Sequence, residues 1–278
     1  MSPQPRKRFA QHWLRSEKAL NEIVEAAQLK ETDSVLEIGP GTGILTHRLL
    51  EEANKVVSVE IDRDLCKKLV KKYGDRNNFL LLQGDFLDLD LTTQLAQFPA
   101  FQSLNKVVAN IPYNITGPII EKLLGTIANP AESQYELSVL LIQKEVAERI
   151  CAEPGFKVFG ALSVRVQYLA ECEMITTVPA KAFYPPPKVD SAVIRLRPRP
   201  YPNPAQNPKQ LETLVKLGFA NKRKMLRNNL KGVIDSDSLT QLLESLNIDP
   251  QSRAEDLGVE DWVALSNSIN LSTSSSEL

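Results

Sequence analysis

Apolar positions in the first two thirds of the chain follow two spacings. Short runs that are nearly all apolar or β-branched predict strands at Ser34–Ile38, Lys55–Glu60, Asn78–Leu82 and Lys106–Asn110, each bounded by Gly, Asp or Asn. Between them, Ser16–Leu29, Ile44–Glu52 and Asp62–Tyr73 repeat apolar residues three and four apart, the period of a helix with one buried face. Strand and helix in turn predict a parallel sheet with crossover helices. Glu136–Ile142, Ala161–Leu169 and Val189–Leu196 are also strand-like, giving seven candidates and a doubly wound α/β fold. At Pro198–Pro208 the pattern breaks. Five prolines in eleven residues can neither continue a helix nor join a central strand, so the segment predicts an extended linker. Beyond it the spacing is helical at Gln210–Ala220, Lys222–Lys231, Ser238–Leu246 and Glu260–Ser268. The expected organisation is an α/β domain over residues 1–200 and a helical domain over 201–278, with a frayed polar end at 270–278.

Composition narrows the class. The 278 residues are 42% hydrophobic and 24% charged, which is globular and excludes a disordered chain. No apolar run is long enough to span a membrane, and no apolar segment follows the basic start Arg6-Lys7-Arg8, so no secretory signal is expected and the location is cytoplasmic. Cys66, Cys151 and Cys172 are too scattered for a disulfide framework or a zinc site and read as reduced core thiols; no metal is expected. The net charge of -1 hides an asymmetry: residues 181–232 carry 12 Lys and Arg against two acids, and 233–278 carry one Arg against nine acids. A solvated helix face explains one basic run, but an excess this dense points to a polyanion such as nucleic acid.

The chemistry sits at strand ends. Ser34–Ile38 runs into Gly39-Pro40-Gly41-Thr42-Gly43 and then a helix. Glycines there let backbone approach a ligand at the first crossover of a parallel sheet. The dinucleotide fingerprint is G-x-G-x-x-G, whereas Ile44 stands where its third glycine would be; the spacing here is G-x-G-x-G, which resembles the S-adenosylmethionine loop of class I methyltransferases. Glu60 ends the second strand and can accept both ribose hydroxyls of a nucleoside. Asp85, after the third, can accept from an adenine amino group beside Phe86, or can simply form a turn.

The fourth strand ends in Asn110-Ile111-Pro112-Tyr113, which matches the (N/D/S)-x-P-(Y/F) motif of enzymes that methylate exocyclic amines of bases. An adenine amino nitrogen is conjugated with its ring and is a poor nucleophile. Acceptors for its hydrogens, the Asn110 side-chain oxygen and the Ile111 carbonyl, would let it pyramidalise. Pro112 fixes the backbone, and Tyr113 offers a face for an extruded base, worth about 1–3 kcal/mol of stacking.

Together these residues resemble the rRNA adenine N6-dimethyltransferase family, over nearly the whole chain. Lys7–Leu14 (KRFAQHWL), Val35–Thr46 (VLEIGPGTGILT), Gly84-Asp85, Asn110–Ile115 (NIPYNI), Gln143–Arg149, Pro154–Gln167, Phe183–Leu196 (FYPPPKVDSAVIRL), Phe219–Leu230 (FANKRKMLRNNL) and Arg253–Leu257 follow in order. The resemblance implies a class I, Rossmann-like methyltransferase sheet with a helical C-terminal RNA-binding domain, and S-adenosylmethionine as cofactor. It implies that His12 and Leu14 close over that cofactor, with Gly39, Gly41, Glu60, Asp85 and Asn110 completing its site, and that Phe183 walls the adenine opposite Tyr113. Arg195, Arg197, Arg199, Lys222, Arg223, Lys224 and Arg227 would hold phosphates. The implied reaction is N6,N6-dimethylation of two adjacent adenosines in the 3′-terminal hairpin of 16S rRNA by a monomer acting on the assembling 30S subunit. Two positions depart from the family pattern, Ala10 in place of Gly and Trp13 in place of Phe.

Other readings remain. An Erm-type 23S rRNA methyltransferase shares the glycine loop and the N-I-P-Y motif, but the F-x-N-K-R-K-x-L-R-N-N and R-A-E-D-L segments favour the small-subunit branch. A non-catalytic ribosome assembly factor would have no use for an intact cofactor loop, and a nicotinamide oxidoreductase is disfavoured by Ile44. Methyl transfer separates the two methyltransferases from the other two readings.

Overall fold

A computed structural model describes Arg6 and residues 11–132 and 135–269. The described residues form two compact units, one from 1–124, 131–147 and 171–198, the other from 125–130, 148–170 and 199–278. The departure expected at Ala10 and the frayed end expected at 270–278 lie outside the described residues.

The first unit runs β1 (Trp13–Leu14), α1 (Glu17–Ala27), β2 (Ser34–Ile38), α2 (Ile44–Glu52), β3 (Lys55–Glu60), α3 (Arg63–Tyr73), β4 (Phe79–Gln83), α4 (Leu91–Leu95), β5 (Lys106–Asn110), α5 (Thr116–Leu124) and β6 (Leu137–Gln143). After α6 (Lys144–Ile150) and α7 (Ala161–Leu169) it resumes with β7 (Ala170–Val178), β8 (Phe183–Tyr184) and β9 (Ser191–Pro198). Seven strands form one sheet in the order β4-β3-β2-β5-β6-β9-β7. The pairs from β4 through β6 are parallel, and β9 is antiparallel to β6.

Local chemistry explains the elements. Every residue of β2 is buried, which fits a central strand covered on both faces. α1 starts where the Ser16 hydroxyl accepts from the Ala19 N–H, and α3 where Asp62 accepts from the Asp64 N–H. Leu20, Ile23 and Ala27 of α1 pack with Leu45 and Leu49 of α2 and with Val35, Val56 and Val139 of the sheet. Burying each Leu or Ile stabilises by about 1.5–3 kcal/mol. Since β2 to β5 are parallel, their C-terminal ends share one edge, and the order reverses beside β2, where an open α/β sheet binds ligands.

The second unit holds α7, α8 (Pro208–Gly218), α9 (Leu226–Leu230), α10 (Ser236–Ser245) and α11 (Val259–Ser268). Its core centres on the fully buried Trp262, whose ring lies 5.7 Å from that of Phe219. Gly218 is required there, because a Cβ would stand 2.3 Å from the Trp262 ring.

The structure corrects four expectations. Ala161–Leu169 is helix α7, not a strand: its β-branched residues are buried round the helix, and the Ser163 hydroxyl caps its first turn by accepting from the Gly160 N–H. The seventh strand is β7, whose Glu171 and Glu173 mask it as polar sequence at an edge position. Lys222–Lys231 is not one helix. Only Leu226–Leu230 is helical, since Lys222-Arg223-Lys224 offers no apolar side chain to bury. A single boundary near 200 is also too simple, because 125–130 and 148–170 belong to the helical unit.

Candidate active site

The C-terminal ends of β2, β3, β4 and β5 surround a cavity of about 320 Å³, within the range of small-molecule sites. Gly39, Gly41, Glu60, Asp85, Asn110, Pro112 and Tyr113 all line it, as do His12 and Leu14. Residues from Gly39 to Tyr113, up to 74 positions apart along the chain, thus meet because parallel strands carry them to one edge.

The glycine loop fits a close ligand approach. Gly41 has φ +59°, its N–H donates to Glu60 Oε2 at 3.0 Å, and a Cβ on it would meet the Trp13 ring at 3.3 Å. Glu60 is 4% exposed, and its Oε1 accepts the Asp62 N–H at 2.8 Å. Each oxygen therefore keeps a second lone pair for a ribose hydroxyl. Burial pushes the Glu60 carboxyl above its ordinary range, partly offset by these N–H donors. Asp85 does form a turn, with Oδ1 accepting from the Leu87 N–H at 2.9 Å, but one oxygen is enough for that and the residue still faces the cavity. Turn and ligand roles are compatible.

The N-terminal segment is tied across the cavity. β1 pairs with β8, Trp13 opposite Tyr184 and Leu14 opposite Phe183. Gln11 Nε2 donates to Asp62 at 3.3 Å. His12 Nδ1 stands 2.7 Å from the Pro185 carbonyl oxygen, so that nitrogen carries the proton. The His12 ring stacks on Tyr113 with centroids 5.6 Å apart and planes at 23°. Asn110 Nδ2 donates to the His12 carbonyl at 3.4 Å, so its Oδ1 is not used in that bond. The Ile111 N–H donates to Leu141 O at 3.1 Å, fixing the Asn110–Ile111 peptide. The Tyr113 hydroxyl shares a hydrogen with Ser191 Oγ, and burial raises its pKa, so the phenol stays protonated.

Three expected residues are engaged elsewhere. Phe183 is 3% exposed and sits in the core cluster, not on the cavity wall. The two residues of β8 point to opposite sides, and it is Tyr184 that faces out, 41% exposed under the Arg15 guanidinium. Arg195 is not held out for phosphate: its Nε and Nη2 both donate to Glu173. Arg197 donates to Gln28 Oε1 at 2.8 Å, whereas Lys222, Arg223 and Lys224 are exposed and Arg227 is half-buried. Sequence reasoning missed Glu37, which lines the cavity while 1% exposed. Its signal was a lone charge in a strand buried on both faces.

A family model described as ribosomal RNA adenine dimethylase matches residues 3–271. The chain belongs to the ribosomal RNA adenine dimethylase family. Ribosomal RNA small subunit methyltransferase A of Rippkaea orientalis is 68% identical over 265 residues, covering 95% of this chain and 97% of that protein. A crystal structure of a dimethyladenosine transferase from Plasmodium falciparum has a TM-score of 0.74 and 28% identity, covering 91% of this chain and 96% of the other. The 23S rRNA methyltransferase ErmE has a TM-score of 0.73 and 28% identity, covering 91% of this chain and 98% of the other. Identity to the small-subunit enzyme, not shape, favours the first reading over the Erm alternative. As a dimethylase the chain is an rRNA adenine N6,N6-dimethyltransferase, and its cofactor is S-adenosylmethionine. No described helix is long and apolar enough to cross a membrane.

Proposed function

We propose that this enzyme dimethylates N6 of two adjacent adenosines in the 3′-terminal hairpin of 16S rRNA, acting in the cytoplasm as a monomer on the assembling 30S subunit. The observation that carries the reading is Asn110, Pro112 and Tyr113 opening onto the cavity that also holds the glycine loop, Glu60 and Asp85, with the Ile111 side chain buried behind them. S-Adenosylmethionine, when bound, supplies an activated methyl group, so the protein needs no strong base. Gly39 and Gly41 give it backbone to lie against, Glu60 takes the ribose hydroxyls, Asp85 takes the adenine amino group, and His12 and Leu14 cover it.

The target amine would present its hydrogens to Asn110 Oδ1 and the Ile111 carbonyl, so that its lone pair leaves conjugation as the new carbon–nitrogen bond forms; the methyl's bond to sulfur breaks, leaving a neutral thioether, and the methylated nitrogen gives up one proton. Tyr113, braced by Ser191 and already stacked by His12, backs the target base. Lys222, Arg223, Lys224 and Arg227 contact phosphates, which makes binding salt-dependent. Arg195 is tied to Glu173 on the neighbouring strand and Arg197 to Gln28 at the end of α1 instead.

The test is methyl transfer from labelled S-adenosylmethionine to immature 30S particles and, separately, to naked 23S rRNA, with the modified base mapped. Dimethyladenosine in the 3′-terminal hairpin is expected. Label in 23S rRNA alone would move the assignment to the Erm branch, and no label in either would remove the catalytic reading of this site.

A further inference from the structure

Lys122 is bound in a way the reaction does not use. It lies on α5, and its ammonium donates to three successive-loop carbonyls: Phe86 O at 2.6 Å, Leu87 O at 2.9 Å and Leu89 O at 2.8 Å. The same nitrogen stands 5.0 Å from the centre of the Phe86 ring. An ammonium has three donors and no acceptor, so all its hydrogen-bonding capacity is spent on this one loop. The loop follows Asp85 directly. Its other internal ties are short: the Leu87 N–H to Asp85 Oδ1, and the Asp88 and Leu89 N–H groups to the Asp85 carbonyl. Asp85 and Phe86 line the cavity, and Lys122 does not.

Three carbonyls aimed at one point repel each other unless a cation sits among them. Without it the 86–89 turn would open, and the Asp85 carboxylate, which is hydrogen-bonded to that turn, would turn with it. We infer that Lys122 is a positioning residue that holds the Asp85 carboxylate in register for the 6-amino group of the cofactor's adenine, and so sets the enzyme's preference for an adenine nucleoside donor. It acts through the loop and does not itself line the cavity. The inference rests on the proposed Asp85–adenine contact.

The experiment measures equilibrium binding of S-adenosylhomocysteine and of its purine analogue, in which hydrogen replaces the 6-amino group. Wild-type protein is expected to bind the purine analogue about tenfold more weakly, the cost of one hydrogen bond to a charged acceptor. Lys122→Met should weaken S-adenosylhomocysteine by about tenfold and the purine analogue by less than about twofold, so that discrimination is lost. Lys122→Arg, which keeps a cation beside the carbonyls, should retain most of it. In turnover, Lys122→Met should raise KM for S-adenosylmethionine and leave kcat at saturation close to wild type. Equal weakening of both ligands by Lys122→Met would mean general loosening and would overturn the inference. So would full discrimination surviving the substitution. If wild-type protein itself does not discriminate, the Asp85 contact is at fault and the inference falls with it. Should Lys122→Met prove unstable, Lys122→Gln carries the same comparison.

Discussion

Asn110→Ala is expected to lower kcat about 10²–10³-fold at saturating S-adenosylmethionine, the scale found when one preorganised polar partner of a reacting group is removed. RNA affinity changes by less than about threefold, because the expected phosphate contacts lie in the other unit. The loss arises at one atom. Asn110 Nδ2 is engaged by the His12 carbonyl, so Oδ1 is the group that can accept a hydrogen of the target amine. Removing it leaves the amine in conjugation with its ring at the moment its lone pair is needed. Asn110 also lines the cofactor cavity, so KM for S-adenosylmethionine rises too, and kcat at saturation is the number that isolates the chemistry. Asn110→Asp restores an acceptor while losing the donor to His12, and recovers part of the rate. Single-turnover methyl transfer and filter binding on one preparation check both halves. Equal losses in rate and RNA affinity would remove Asn110 from the reacting centre.

How much of this was legible in sequence depends on whether the cause was local. β2, β3, β5 and α2 have the bounds their apolar spacing predicts, because continuous burial or a single buried face writes itself into consecutive residues. The glycine loop, Glu60, Asp85 and Asn110 were likewise readable, since each closes a strand in a parallel sheet and strand ends converge. The failures have a common source in tertiary context. α7 looks like a strand because its Val and Leu residues are buried without one polar face. β7 looks polar because it lies at an edge. Phe183 and Tyr184 are adjacent aromatics, and only the pairing of β8 with β1 decides which turns inward. Arg195 counted as a free cation until Glu173 appeared beside it on another strand. His12 was nameable only through the family resemblance, for its contacts with Tyr113 and Pro185 span 101 and 173 positions.

Glu37 should make the protein less stable as pH rises. Its carboxyl is fully enclosed, with Oε2 accepting the Thr46 and Ser58 hydroxyls at 2.7 Å each and Oε1 without a partner. Burial pushes its pKa from 4.5 up to about 7; the two hydroxyls pull it down in part, and the neighbouring Glu60 charge adds to the rise. Between those two values the folded protein keeps a proton that the unfolded chain has released. The difference in bound protons is then negative for unfolding, so stability falls with pH across the window and levels off above it. The contribution amounts to about 3 kcal/mol. In Glu37→Gln the amide oxygen can still take both hydroxyls, and no charge has to be buried. The variant should match wild type near pH 5 to within about 1 kcal/mol and exceed it near pH 8 by up to about 3 kcal/mol. Glu60, also raised, imposes a slope of the same sign in both proteins, altered in the variant only by the loss of its coupling to the Glu37 charge. The difference between their urea-unfolding free energies at each pH therefore reports Glu37 together with that coupling. A constant difference from pH 5 to pH 8 would show that Glu37 does not take up a proton on folding in this range.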